Sequence, residues 1–247
     1  MVKILKDAAK AEKLFPARTD SLVDSCLQGV MGAVCVTDEE DPRSAAAMLG
    51  SFIIYGGEPS RELVLAKPAG GFSLTPPDEE WAKLIVSCFP GAVRYPRRAA
   101  DRNARFDRAK LRSIAGSLPA GYELRRIDAE LYRICLNDPV FADGVKNFGT
   151  EERYCELGRG IAVLKNGRIV SACSSYSRYR EGIETEVDTL EEERRKGLAS
   201  AASAALILLC LDEGLYPCWD AANGVSVRLA EKLGYTFGGE YSSYWIE

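Results

Sequence analysis

The chain reads as an α/β protein in two unequal parts, each holding both helices and strands. Three observations predict it. Short β-rich runs alternate with stretches of helical period along the 247 residues. Two tight turns, Lys165-Asn166-Gly167-Arg168 and Arg194-Arg195-Lys196-Gly197, join strongly patterned segments. Small residues, Pro and Gly at Ser117-Leu118-Pro119-Ala120-Gly121 interrupt the pattern, dividing the chain into residues 1–118 and 119–247.

In the first part, residues 6–15 and 21–28 have helical spacing, and 32–37 (Gly-Ala-Val-Cys-Val-Thr) reads as a strand. Residues 38–42 form a turn, and 48–55 and 62–66 are further strands. Asp78 caps a helix that runs through Phe89, with Glu79 and Glu80 in its first turn. Residues 94–112 hold eight Lys or Arg against two Asp, and Ala104, Leu111, Ile114 and Leu118 give this run a helix.

The second part is more sharply patterned. Residues 122–127 form a strand, and Asp128 caps a helix over 129–135. A helical or loop stretch reaches about Leu157. Residues 160–164 and 169–176 pair as a hairpin, because Asn166-Gly167 suits a two-residue turn. Residues 183–189 are a strand, 195–213 a long apolar helix stopped by Gly214, and 216–219 a short strand. Asn223 opens a helix that ends at Gly234, and 235–237 and 242–246 close the chain as strands.

Composition excludes several functions. An apolar content of 47% and a charged content of 28% are those of a soluble globular protein. A net charge of −4 argues against a general nucleic-acid binder, and the basic run 94–112 has no aromatic stacking platform beside it. The absence of histidine removes Ser–His and Cys–His pairs, His metal ligands and a His base. None of the eight cysteines has C-x-x-C spacing, so buried reduced thiols are expected and no metal. The first residues lack a signal-peptide core, and the apolar run 201–211 is too short to span a bilayer. A cytoplasmic protein without a membrane partner is expected.

Two segments carry chemistry. Glu184, Glu186 and Asp188 alternate with apolar or Thr residues, so on a strand they share one face. Unpartnered burial of three carboxylates would be very costly, so that face meets water, a cleft or cations. After it, Arg194, Arg195, Lys196, Gly197, Leu198 and Ala199 form a basic glycine turn at a helix start. Such a turn presents main-chain N–H groups and a positive dipole end to a phosphate.

With its flanking segments, the turn resembles the Q/R-x-x-G-x-G/A motif of the GCN5-related N-acetyltransferase superfamily, here Arg194, Gly197 and Ala199. A second segment, Asn223, Ser226, Leu229, Lys232, Gly234 and Tyr235, is similar to that superfamily's N-x-x-A/S-x-x-L-Y-x-K-x-G-F/Y motif. The likeness covers roughly residues 120–247 and looks most like the branch of zwittermicin A resistance acetyltransferases. It implies a mixed, largely antiparallel sheet flanked by helices, preceded by a smaller α/β domain.

The resemblance further implies acetyl-CoA as co-substrate and no metal. The turn residues 194–199 would cradle pyrophosphate. Val187, Asp188 and Thr189 would offer main-chain groups to the pantetheine arm, with Asn223 and Ser226 nearby. Glu184 or Glu186 would take the proton of a cationic amine, since an acidic cleft attracts ammonium groups. The implied reaction is direct transfer, in a ternary complex, to a primary amine of a small polar molecule such as an aminopolyol antibiotic. Two other readings stand beside it: a non-catalytic acyl-CoA-binding regulator, and an acetyltransferase for protein or peptide amines. A homodimer is compatible with all three. One departure is notable: Ala230 stands where many members have the Tyr that protonates the departing thiolate.

Overall fold

In a computed structural model, described for residues 1–15 and 20–247, the chain forms two compact units. Residues 1–97 and 239–247 make the first, and residues 98–238 the second.

The first unit opens with β1 (Lys3–Ile4), a 3-10 helix (Ala8–Leu14) and α1 (Ser21–Leu27), which Asp20 caps through the Leu22 N–H. It continues through β2 (Ala33–Val36), β3 (Ser44–Leu49), β4 (Phe52–Gly57), α2 (Arg61–Leu65), β5 (Phe72–Thr75) and α3 (Glu79–Cys88). The chain leaves this unit along β6 (Val93–Ala99).

In the second unit follow α4 (Arg108–Ala115), β7 (Tyr122–Arg126) and α5 (Ala129–Leu136). Two 3-10 turns (Ala142–Gly144 and Lys146–Phe148) lead to α6 (Glu151–Leu157). Then come β8 (Gly160–Lys165), β9 (Arg168–Tyr179), β10 (Gly182–Thr189), a 3-10 turn (Glu191–Glu193) and α7 (Leu198–Asp212). β11 (Tyr216–Cys218), β12 (Asp220–Ala221) and α8 (Gly224–Leu233) complete the unit. The last strand, β13 (Tyr241–Ile246), returns to the first unit and lies between β5 and β6.

Several sequence expectations need correction. Residues 62–65 are helical, not extended, within α2, and Ala66 is its C-cap. Ser60 caps that helix by accepting the Leu63 N–H at 3.3 Å, and so short an apolar run carries no period that separates helix from strand. Residues 48–55 are the heart of a hairpin, because Gly50 takes a left-handed φ of +57° and turns β3 into β4. The helix expected over 6–15 is a shorter 3-10 turn. The basic run 94–112 splits: its start is β6, and only α4 is helical, capped by Asp107 through Ala109 and Lys110. Residues 235–237 form no strand beyond a bridge from Phe237 to Ala100. α7 starts at Leu198, after left-handed residues at 195 and 197.

The boundary expected at 118 falls inside the second unit. Leu111 and Ile114 of α4 belong to a core with Ala204 and Ile207 of α7, Trp219, Ala230, Leu233 and Tyr235. A second core, in the first unit, gathers Ile53, Tyr55, Leu63, Trp81, Ile85 and Tyr244. All eight cysteines are free thiols, six of them buried. No helix among the described residues is long and apolar enough to cross a membrane.

The two units share one strand plan. Sheet neighbours run β1-β2-β3-β4-β5 in the first and β7-β8-β9-β10-β11 in the second. Each series is antiparallel except for its last pair, which is parallel. Helices α2 and α7 link those parallel pairs, and α3 and α8 follow them. In both, the parallel ladder is short and the longer strand runs on past it: from Phe52↔Ser73 to Ile54↔Thr75, and from Gly182↔Tyr216 to Glu184↔Cys218. The first unit fills the space beside its ladder. Trp81 of α3, fully buried, stacks on Tyr55 at 4.6 Å between ring centres and donates its indole N–H to the Gly57 carbonyl at 2.8 Å.

Candidate active site in the second unit

Beside the β10–β11 ladder no such plug occurs among the described residues. The ladder ends at Glu184↔Cys218, and the Thr185 hydroxyl still reaches the Cys218 carbonyl at 2.8 Å. Beyond that point β10 continues to Thr189, while the segment after β11 turns away into β12, which pairs with Arg98 and Ala99. Beyond Thr185, β10 therefore keeps its β9 ladder on one edge, and among the described residues no β11 residue pairs with the other. An open strand edge is a row of main-chain donors and acceptors.

Alternation along β10 sorts its side chains. Val187 packs against the apolar core on one face. On the other, Glu186 and Asp188 line a small concavity with Ala172 and Ser174 of β9, Gly144, Val145 and Phe141. Glu184, next on that face, pairs across to Ser177, where Tyr176 is the extra residue of a bulge in β9. The structure thus brings Glu186 and Asp188 into one pocket and leaves Glu184 outside its lining. Burial raises the Asp188 carboxyl above its ordinary pKa, repulsion from Asp143 adds to this, and Arg194 opposes it. Asp143 in turn pairs with Lys146, whose ammonium also feels Glu186. Nothing local in the sequence marks Asp143 or Lys146, because they reach this strand only through the fold.

The basic turn is exposed and sharply bent. Arg195 and Gly197 both have left-handed φ, +64° and +83°. For Arg195 this is an uncommon conformation of the kind stored at functional sites. Gly197 is the N-cap of α7 and offers no side-chain cap, and a Cβ there would meet open space. Backbone conformation alone requires glycine at 197. Leu198 is buried and Ala199 partly so, which seats the helix start on its sheet. Arg194 ties the turn to β10 by donating to the Thr189 carbonyl at 3.3 Å, and the Thr189 hydroxyl bonds Ser171 at 2.7 Å. Lys196 donates to the Glu192 carbonyl and to Glu193 Oε2, at 3.1 and 2.7 Å.

The second motif is built largely from local bonds. Asn223 accepts the N–H groups of Val225 and Ser226, both at 3.0 Å, and so caps α8. The Ser226 hydroxyl accepts the Trp219 indole N–H at 3.0 Å. Ala230 is fully buried against α4 and α7. Tyr216 donates to the Asp101 carbonyl at 3.0 Å, and burial pushes its phenol up to about 12.

A GNAT acetyltransferase family model matches residues 12–244. A curated relative, the N-acetyltransferase YdfB of Bacillus subtilis (strain 168), itself uncharacterized, is 26% identical across 95% of this chain and 92% of its own. A solved GCN5-related N-acetyltransferase-like protein from Streptococcus suis 89/1591 is 37% identical, with a TM-score of 0.94 over 98% of this chain and 99% of that one. A tandem GNAT protein from the clavulanic acid biosynthesis pathway shares the fold, with a TM-score of 0.57, 12% identity and coverage of 100% and 98%. The likeness spans both units, so the chain belongs to the GNAT acetyltransferase family.

Proposed function

We propose that the chain moves the acetyl group of acetyl-CoA to a primary amine of a small polar molecule, in a ternary complex. One observation carries the reading: β10 parts from β11 beside an exposed glycine turn, and the parted strand points Glu186 and Asp188 into a pocket. The residues present fit the co-substrate. A diphosphate needs converging donors and positive charge, and the turn has the first N–H groups of α7 with exposed Arg194 and Arg195.

When bound, acetyl-CoA supplies an activated acyl thioester. The chain's own residues do the rest. Main-chain groups of Val187 and Thr189 hold the arm along the open edge, those of Asp188 face β9, where its carbonyl accepts the Ser171 hydroxyl, and Gly197, Leu198 and Ala199 hold the phosphate end with Arg194 and Arg195. Lys196, drawn toward Glu193, contributes charge at longer range. Asn223 and Ser226 act here by fixing the α8 start, since their side-chain oxygens are engaged locally. Glu186 takes the ammonium proton of the acceptor, and Glu184 stands next on the same face. Holding the two reactants together and polarising the carbonyl supply most of the acceleration. The acidic pocket favours a cationic acceptor, and the branch resemblance suggests an aminopolyol antibiotic.

Calorimetry with acetyl-CoA, then thiol release across a panel of aminopolyols, simple amines and peptides, tests this. Binding with turnover on small amines supports it. Binding without turnover favours the regulator, and turnover on peptides alone favours a protein acetyltransferase. No binding removes the reading.

A further inference from the structure

Among the described residues, Glu193 is the only acidic or basic side chain that is buried, at 7% exposed. It sits in the 3-10 turn between β10 and α7. A lone buried carboxylate would be very costly, and this one is fully partnered. It accepts from the Tyr122 hydroxyl at 2.5 Å, from Lys165 Nζ at 2.9 Å and from Lys196 Nζ at 2.7 Å. The three donors come from different places: Tyr122 begins β7, Lys165 ends β8, and Lys196 belongs to the basic turn. Lys165 also lies over the Tyr122 ring, 5.1 Å from its centre.

These bonds link the basic turn to β7 and β8 through residues outside the pocket lining. The turn needs such a link, because left-handed Arg195 persists only where its surroundings hold it. The two ammonium groups hold the Glu193 carboxyl down at about 2, so it is ionised at neutral pH.

We propose that Glu193 is a positioning residue for the coenzyme turn: its carboxylate fastens Lys196 to Tyr122 and Lys165, so that residues 194–198 present one fixed set of phosphate donors. The ligand in this statement rests on the proposed function, whereas the anchoring rests on the geometry alone.

Two measurements test it. The first compares acetyl-CoA with S-acetylpantetheine, which lacks the diphosphate. In Glu193→Gln, KM for acetyl-CoA rises about tenfold, while KM for S-acetylpantetheine, KM for the amine and kcat stay within about twofold. Glu193→Asp, which keeps the charge on a shorter stem, recovers part of the loss. The second measurement uses trypsin on the ligand-free protein. Lys165→Met removes one anchor without changing the turn's sequence, and cleavage after Arg194, Arg195 and Lys196 becomes several-fold faster than in wild type. Equal losses with both thioesters would reduce Glu193 to a general brace. Unchanged trypsin rates would overturn the anchoring. Wild-type protein that bound no acetyl-CoA would remove the proposed function and the coenzyme role together, and the trypsin rates would still decide the anchoring.

Discussion

Glu186 and Asp188 turn a two-residue spacing into a site: alternation on β10 puts both in one pocket while Val187 enters the core. If Glu186 is the base, Glu186→Gln lowers kcat by about a hundredfold or more and abolishes the acid limb of the pH–rate profile. Asp188 gives a separate prediction. Its carboxyl is raised in the folded state above the ordinary 3.8, mainly by burial. The folded protein therefore holds that proton more tightly than the unfolded chain, and ionisation at neutral pH costs stability. Asp188→Asn should raise Tm at pH 7 and leave it unchanged well below pH 3.8, which thermal unfolding at the two pH values reads directly. The carboxylate row was legible in the sequence because it lies on one strand. Asp143 and Lys146 were not, because nothing local ties them to that strand.

At the scale of elements, caps and turns were the readable part. Asp78, Asp128 and Asn223 each cap the helix that the sequence assigned them, and Asn166-Gly167 makes the hairpin turn with φ of +51° and +76°. Asn223→Ala removes two bonds at the start of α8 and should cost about 1 kcal/mol in chemical denaturation. The Glu193 anchor predicts a pH signature. A carboxyl held at about 2 when folded, against an ordinary 4.5, stabilises the fold above pH 4.5, and that contribution is lost as pH falls toward 2. Acid unfolding of Glu193→Gln and wild type should therefore differ at neutral pH and converge near pH 2. What misled the sequence reading were short apolar runs. Residues 62–66 are too brief to show a period, so caps and neighbours decide between helix and strand.

At the scale of the whole molecule, one strand plan occurs twice, and among the described residues the first copy is filled beside its parallel ladder and the second is not. Trp81 and Tyr55 fill the place beside the first unit's parallel ladder, and that unit's turn, Glu58-Pro59-Ser60, has neither glycine nor a basic run. The chain should therefore bind a single equivalent of acetyl-CoA, and calorimetry gives that stoichiometry. Trp81→Ala should cost about 3–5 kcal/mol of stability, the penalty of a large buried cavity, without creating a second site.

The sequence by itself determined the local features of this protein: the caps, the Asn-Gly hairpin, the acid alternation on β10 and the basic glycine turn. Each depends on residues a few positions apart, whose spacing is set by helix and strand geometry. Tertiary structure alone decided which strands are neighbours, that β13 completes the first unit, that Glu193 meets Tyr122 and Lys165, and that β10 runs on past its β11 ladder. Those contacts join residues far apart in the chain, and they form because buried main-chain and charged groups must find partners wherever the fold brings them.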